Sequence, residues 1–267
     1  MSDRFVRSLD ALRRDRYALP LAARSVLIWH PSRDLRIVAG FGAVTSQDMA
    51  LIVAAMGDEV QPGFPPFSSL VDLTTVTAVD PDGFNRLIEF MRTNKDAYAR
   101  VNLRSAYVYG TGSPFVASAV AGYAKVVGAT FPTTNHATVE DGLRALGVHD
   151  TTIAARLAEL KTRAAKTFAI LVPLESAIRD RLEHPSAENI ADALQTSTRT
   201  LQRELASLST TLTQEVRRVR VAEARQLLAQ TDLSLQGIAA RLGFASTKAL
   251  REAFKRELGV SPAEWRG

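Results

Sequence analysis

Two periodicities divide the chain. Between residues 25 and 148, short apolar runs alternate with amphipathic stretches. The runs at 25–30, 35–41, 70–73 and 105–109 predict strands, and the stretches at 46–56, 82–99, 114–127 and 138–146 predict helices. Strands alternating with helices imply an α/β unit, a sheet covered by helices. A loop at 61–67 with three prolines and one glycine separates the first of these helices from the central strand. From residue 151 the strand signals stop and helical periods run to the end, which places a domain boundary between 148 and 168.

The last 35 residues carry the sharpest pattern. Leu235, Ile238, Ala239 and Leu242 fall at i, i+3, i+4 and i+7, and Gly243 suits the left-handed residue that ends a helix. Ser246 can then cap a second helix with Leu250, Phe254 and Leu258 on its buried side, stopped by Gly259. Ser261, Pro262 and Glu264 read as one more helix start. Helix, short turn and helix make a helix-turn-helix, and the face left over on its second helix is Thr247, Lys248, Arg251 and Lys255, which suits phosphates and base edges. Taken alone, such a face is equally a solvated surface.

The arrangement occurs twice. Ser186 can cap a helix burying Ile190, Ala191 and Leu194, and Ser197 another burying Leu201, Leu205 and Leu208, whose outer face is Arg199, Gln202 and Arg203. Arginine pairs bidentately with guanine, and glutamine with adenine, in the major groove. Between the two pairs, residues 211–230 predict one helix burying Leu212, Val216, Val219, Ala222 and Leu227. Twenty residues span about 30 Å, close to the ~34 Å between successive major-groove faces.

Charge agrees with this division. Residues 1–150 hold 15 Lys+Arg and 15 Asp+Glu, so the net +5 lies wholly in residues 151–267. A basic part beside a neutral one fits a polyanion-binding module with a regulatory companion, although part of the excess sits on the expected linker helix at Arg156, Lys161, Arg163 and Lys166. The chain is 46% hydrophobic and 23% charged, which excludes disorder over most of its length. It contains no cysteine, which excludes disulfides and thiolate zinc sites. With no apolar run of 18 residues and no secretory pattern among its first residues, it is expected in the cytoplasm with no membrane partner.

The strings IADALQTSTRTLQREL, RVAEARQLLAQTDLSLQGIAARLGF and STKALREAFKRELGVSPAEWR resemble the DNA-binding domain of the AraC/XylS family of transcription regulators, over residues 173–267. The resemblance implies base contacts at Arg199, Gln202, Arg203, Thr247, Lys248 and Arg251, double-stranded DNA as partner, and RNA polymerase as a second partner of any activator. Two positions depart from the family pattern. Gln195 stands at a turn where glycine is common, and Glu252 where arginine is frequent.

The first domain is similar to the STAS, or SpoIIAA-like, fold of anti-sigma-factor antagonists. The resemblance covers residues 25–148 and centres on VDLTTVTAVDPDGF. In phosphorylatable antagonists a serine precedes the glycine of this loop; here Asp82 does, either as a fixed negative charge or as a cap on the following helix. The expected organisation is thus a helical extension at 1–24, a STAS-like sensor or interaction domain at 25–148, a linker helix at 149–170, and a double helix-turn-helix domain at 171–267.

Catalysis finds little support. His30, His136, His149 and His184 have no metal-ligand spacing and are expected at the surface or in loops, so neither metal nor cofactor is expected. The segment GTGSPF at 110–115 lacks the lysine of a P-loop and reads as a strand-to-helix turn. Phe64, Phe67, Phe84, Tyr107, Tyr109 and Phe131 could line a ligand cavity or fill the core. Ile153, Leu157, Leu160 and Ala164 form a narrow stripe that suits either a dimer seam or the chain's own sheet. The leading expectation is a sequence-specific regulator, governed by a small effector or protein partner at its first domain. The alternative is a partner-switching protein whose helical part docks protein.

Overall fold

Strands pair in chain order. The computed structural model describes residues 5–6, 9–17, 19–109, 123 and 131–266. The chain divides into two units, 1–166 and 167–267. In the first, β1 (Leu21–Ala22), β2 (Val26–Trp29), β3 (Leu35–Val44), β4 (Phe67–Val79), β5 (Asn102–Val108) and β6 (Thr133–His136) form a sheet in that order. Pairing is antiparallel from β1 to β3 and parallel from β3 to β6. Helix α1 (Leu9–Arg14) precedes the sheet. The parallel crossovers are α2 (Ser46–Glu59) between β3 and β4, and α3 (Pro81–Val101) between β4 and β5. The expected helix at 114–127 and the GTGSPF segment lie outside the described residues, Tyr123 excepted. After β6 come α4 (Val139–Ala145) and α5 (Thr151–Phe168).

Parallel strands covered on both faces read as continuous apolar runs, and Ile37, Val38 and Ala39 are all buried. Register sets Arg36, Ser69 and Ser105 abreast, and Val38, Val71 and Tyr107 abreast two residues later on the same face. Met49, Ile52 and Met56 of α2 and Met91 and Tyr98 of α3 pack with Val38 in one core cluster. On the other face, α4 comes so close that a Cβ on Gly142 would lie 2.9 Å from Leu70 and 3.0 Å from Val108. There α5 is tied to the sheet by Lys161, whose Nζ donates to Asp72 at 2.6 Å and to Thr74 at 3.1 Å. Leu157, Leu160 and Ala164 are buried within the single chain, with Ala154 in place of Ile153, so the stripe that suited a dimer seam is already covered.

Three local expectations change. Strand β4 runs to Val79, well past the apolar run at 70–73. Beyond Asp72 only β3 borders it among the described residues, and Thr74, Thr75 and Thr77 meet solvent. The first 24 residues are not simply helical: β1 adds an edge to the sheet, bridged at Leu21 by Val6. Asp82 is not the cap of α3. Proline at the first helical position makes Asp80 the N-cap, and its carboxylate accepts from the amides of Asp82 (3.1 Å) and Gly83 (3.0 Å). Asp82 sits in the first turn, where its charge favours the helix dipole.

The second unit holds seven helices among its described residues: α6 (Leu171–Arg179), α7 (Ala187–Ala193), α8 (Thr198–Ser207), α9 (Leu212–Gln230), α10 (Leu235–Arg241), α11 (Thr247–Leu258) and α12 (Pro262–Arg266). Central α9 is buried at Val216 and Val219 as expected, and also at Val221, Ala224 and Leu228, while Leu212, Ala222 and Leu227 are only half-buried. Val221, Ala224 and Leu228 share a core with Ile238, Leu242, Leu250 and Phe254. A helix that serves two neighbours is covered on more than one side, and a single-stripe reading misplaces part of its core.

Candidate nucleic-acid interface

Each helix-turn-helix is set by serine caps and a left-handed turn. The hydroxyl of Ser186 accepts from the Asn189 amide (3.2 Å), that of Ser197 from Thr200 (3.1 Å), that of Ser234 from Gly237 (3.1 Å) and that of Ser246 from Ala249 (3.1 Å). The two turns are equivalent. Thr196 donates its amide to the Ala191 carbonyl at 3.0 Å, and Phe244 donates to Ala239 at 2.9 Å, each closing the turn around a residue of positive φ. That residue is Gln195 (φ 52°) in the first turn and Gly243 (φ 69°) in the second. Gln195 is exposed, so only backbone strain of about 1–2 kcal/mol opposes it. At Gly243 a Cβ would lie 2.5 Å from Arg220 Nη2 and 2.7 Å from the Leu182 carbonyl, so glycine is required there sterically as well.

With the apolar side of each second helix buried, at Leu201 and Leu205 on α8 and at Leu250, Phe254 and Leu258 on α11, the opposite sides are left to solvent. On α8, Arg199, Gln202 and Arg203 are all exposed and lie within one turn of each other. On α11, Lys248, Arg251 and Lys255 are exposed and Thr247 is half-buried. Among the described residues, Arg199, Arg203, Arg251 and Lys255 have no ion-pair partner, whereas Lys248 faces Glu252 at 3.9 Å. Glu252 therefore places a negative charge on the α11 surface and weakens its field for phosphate.

Behind these faces lies a polar frame that periodicity did not reveal. Arg217 of α9 donates from Nε to Glu257 of α11 at 2.6 Å, Arg218 pairs with the buried Glu215, and Thr210 donates to Glu215 at 2.5 Å. Arg220 donates twice to the Leu182 carbonyl and lies 5.6 Å from the Phe244 ring centroid; desolvation lowers its pKa. Such side chains fix the angle at which α11 is presented. Their sequence signal was three arginines, 217, 218 and 220, on a helix that must also be buried.

The first unit differs in chemistry. His30, expected at the surface or in a loop, is buried, with Nε2 3.9 Å from Glu59 and burial holding its pKa down. Glu59 pairs instead with Arg36 at 3.0 Å. Of the aromatics that could line a cavity, Phe84 and Tyr107 do so, while Phe67 is buried in the core and Phe64, Tyr109 and Phe131 pack against it. No group of three metal-ligating side chains occurs among the described residues, and no described helix is long and apolar enough to cross a membrane.

Residues 190–267 match the helix-turn-helix domain family. The chain is 40% identical over 84 residues to the ornithine utilization regulator of Pseudomonas aeruginosa, covering 32% of this chain and 25% of that one. It is 41% identical over 86 residues to the transcriptional activator RhaS of an Enterobacter species, covering 32% and 31%. The chain thus spans about a quarter to a third of the length of these curated relatives. Among solved structures, the DNA-binding domain of the global transcriptional factor AdpA, in complex with a target DNA, is 36% identical over 35% of this chain and 89% of that one, with a TM-score of 0.32. The family match at 190–267 takes in both recognition helices with their outward basic faces, so this part of the chain is a helix-turn-helix DNA-binding domain similar to those of transcription regulators.

Proposed function

We propose that the chain is a sequence-specific transcription regulator that reads two adjacent major grooves, one with α8 and one with α11. The observation that carries this reading is the paired exposure of Arg199, Gln202 and Arg203 on α8 and of Lys248, Arg251 and Lys255 on α11, joined by α9. At 19 residues α9 is about 28 Å long, near the ~34 Å groove repeat. Arg199, Gln202, Arg203, Thr247, Lys248 and Arg251 are assigned to base edges, and Lys255 to phosphate.

The first unit is assigned to sensing, as a STAS-like domain. Its sheet, two antiparallel strands followed by parallel strands in sequential order with crossovers α2 and α3, supports that assignment. Selection of genomic DNA fragments by the purified chain tests the whole reading. An enriched motif, competed only by itself and lost steeply with salt, is expected. Binding that is equal on all sequences, or absent, would leave the helical unit as a protein-docking module.

A further inference from the structure

The face of the sheet under α2 and α3 borders a partly open cavity of about 120 Å³. Its walls are apolar along most of their length: Val38 and Val71 from the sheet, Met49 and Ile52 from α2, Phe84 and Leu87 from α3. One end differs. There the register brings Arg36, Ser69 and Ser105 abreast, and Tyr98 reaches the same end from the last turn of α3. Each of these four side chains is buried. A charged residue in a strand covered on both faces is costly unless it is paired, and Arg36 is paired with Glu59.

One hydroxyl at this end has a proton to spare. Arg36 Nη1 donates to the Tyr98 hydroxyl at 2.7 Å, so the Tyr98 oxygen accepts and its own proton has no acceptor among the described residues. Arg36 Nε lies 3.0 Å from Glu59 Oε1, so the guanidinium is already met by a carboxylate. Asn102 donates to Ser105 at 2.8 Å, and Ser105 and Ser69 share a bond of 2.7 Å. A buried hydroxyl proton without an acceptor is uncommon and calls for one. Net charge does not build up here, because Glu59 already neutralises Arg36, and a second anion would have to give up its own hydration to enter.

We infer that this cavity is a binding site for a small uncharged compound the size of one six-membered ring, whose apolar body lies against Val38, Val71 and Ile52 and whose single oxygen accepts from the Tyr98 hydroxyl. The volume sets the size, since a cavity of about 150 Å³ accommodates benzene. Any effect of occupancy on DNA binding rests on the reading above; the binding itself does not.

Calorimetric titration of the full chain without DNA tests it with three rings of similar bulk: benzyl alcohol, toluene and benzoate. Benzyl alcohol is expected to bind at least fivefold more tightly than toluene, and benzoate not measurably. Val71→Phe, which fills the cavity, is expected to abolish binding, and Tyr98→Phe to bring benzyl alcohol and toluene within twofold of each other. Absence of benzyl alcohol binding, equal binding of benzoate, or an unchanged preference in Tyr98→Phe would each overturn the assignment. If Val71→Phe does not fold, the Tyr98→Phe preference decides alone. Failure of the DNA reading would appear in fragment selection and leave these titrations unaltered.

Discussion

The guanidinium of Arg220 grips the carbonyl of Leu182, with Nη2 at 2.7 Å and Nε at 3.2 Å. Leu182 follows α6, Arg220 is on α9, and the ring of Phe244 in the second turn lies 5.6 Å from the same guanidinium. One side chain thus joins three segments of the helical unit. Replacing it with methionine is expected to cost about 1.5–3 kcal/mol, the usual range for a hydrogen bond to a charged group. Urea unfolding would measure this, and a midpoint equal to that of the wild type would mean that the contact is idle. Arg220→Lys is expected to recover only part of the loss, since an ammonium cannot reproduce the fork.

The two recognition helices separate readout from grip. Arg203→Ala is expected to cost about 1–3 kcal/mol on the preferred site and to relax choice at one base pair, with little effect on random DNA. Lys255→Ala is expected to weaken all sequences alike and to lower the salt slope by about one. Titrations on specific and random duplexes at several salt concentrations check both, and an exchange of these behaviours would exchange the roles.

Left-handed turns give a paired test. Gln195→Gly is expected to stabilise the helical unit by about 1 kcal/mol, because φ 52° is strained for a residue with a Cβ. Gly243→Ala is expected to destabilise it by more than this, since strain is joined by the clash with Arg220 and the Leu182 carbonyl. Thermal melts of both variants read the two signs. A stabilised Gly243→Ala would contradict the geometry.

A close approach in the first unit makes Gly83 equally intolerant. Its Cβ would lie 2.9 Å from the Cα of Ser46 and 3.0 Å from Met49, where the amino ends of α2 and α3 meet. Gly83→Ala is expected to lower the stability of this unit by about 1–3 kcal/mol, as other overpacked sites do. A melting curve superimposable on the wild type would count against it.

Acid should weaken the first unit through His30. Burial lowers its folded pKa below the ordinary value of about 6.5, with Glu59 opposing and Arg36 and Arg16 reinforcing the shift. The unfolded chain then binds the proton more readily, so stability is full above about pH 6.5 and falls as the pH drops below it. Urea midpoints between pH 7.5 and pH 5 should decline more in the wild type than in His30→Gln. Equal declines would assign the acid sensitivity to other groups.

Much of the helical unit was legible because its signals are local. A serine three residues before the amide it caps, a leucine stripe at three- and four-residue spacing, and a glycine at a left-handed turn act within one or two turns of helix. Ser186, Ser197, Ser246 and Gly243 therefore mark the two helix-turn-helix pairs in sequence, and their caps and turns leave Arg199, Gln202, Arg203, Lys248, Arg251 and Lys255 outward. The alternation of strands and helices in the first unit was legible for the same reason. Interactions between distant residues were not. Glu59 meets Arg36, Asp72 meets Lys161 and Arg217 meets Glu257 only after packing brings them together. No periodicity records such pairs, because a charge on an apolar strand looks the same whether its partner is water or a buried carboxylate. Tertiary structure alone decided that Asp80 rather than Asp82 caps α3, that α9 is buried on more than one side, and that Arg36 ends an apolar cavity.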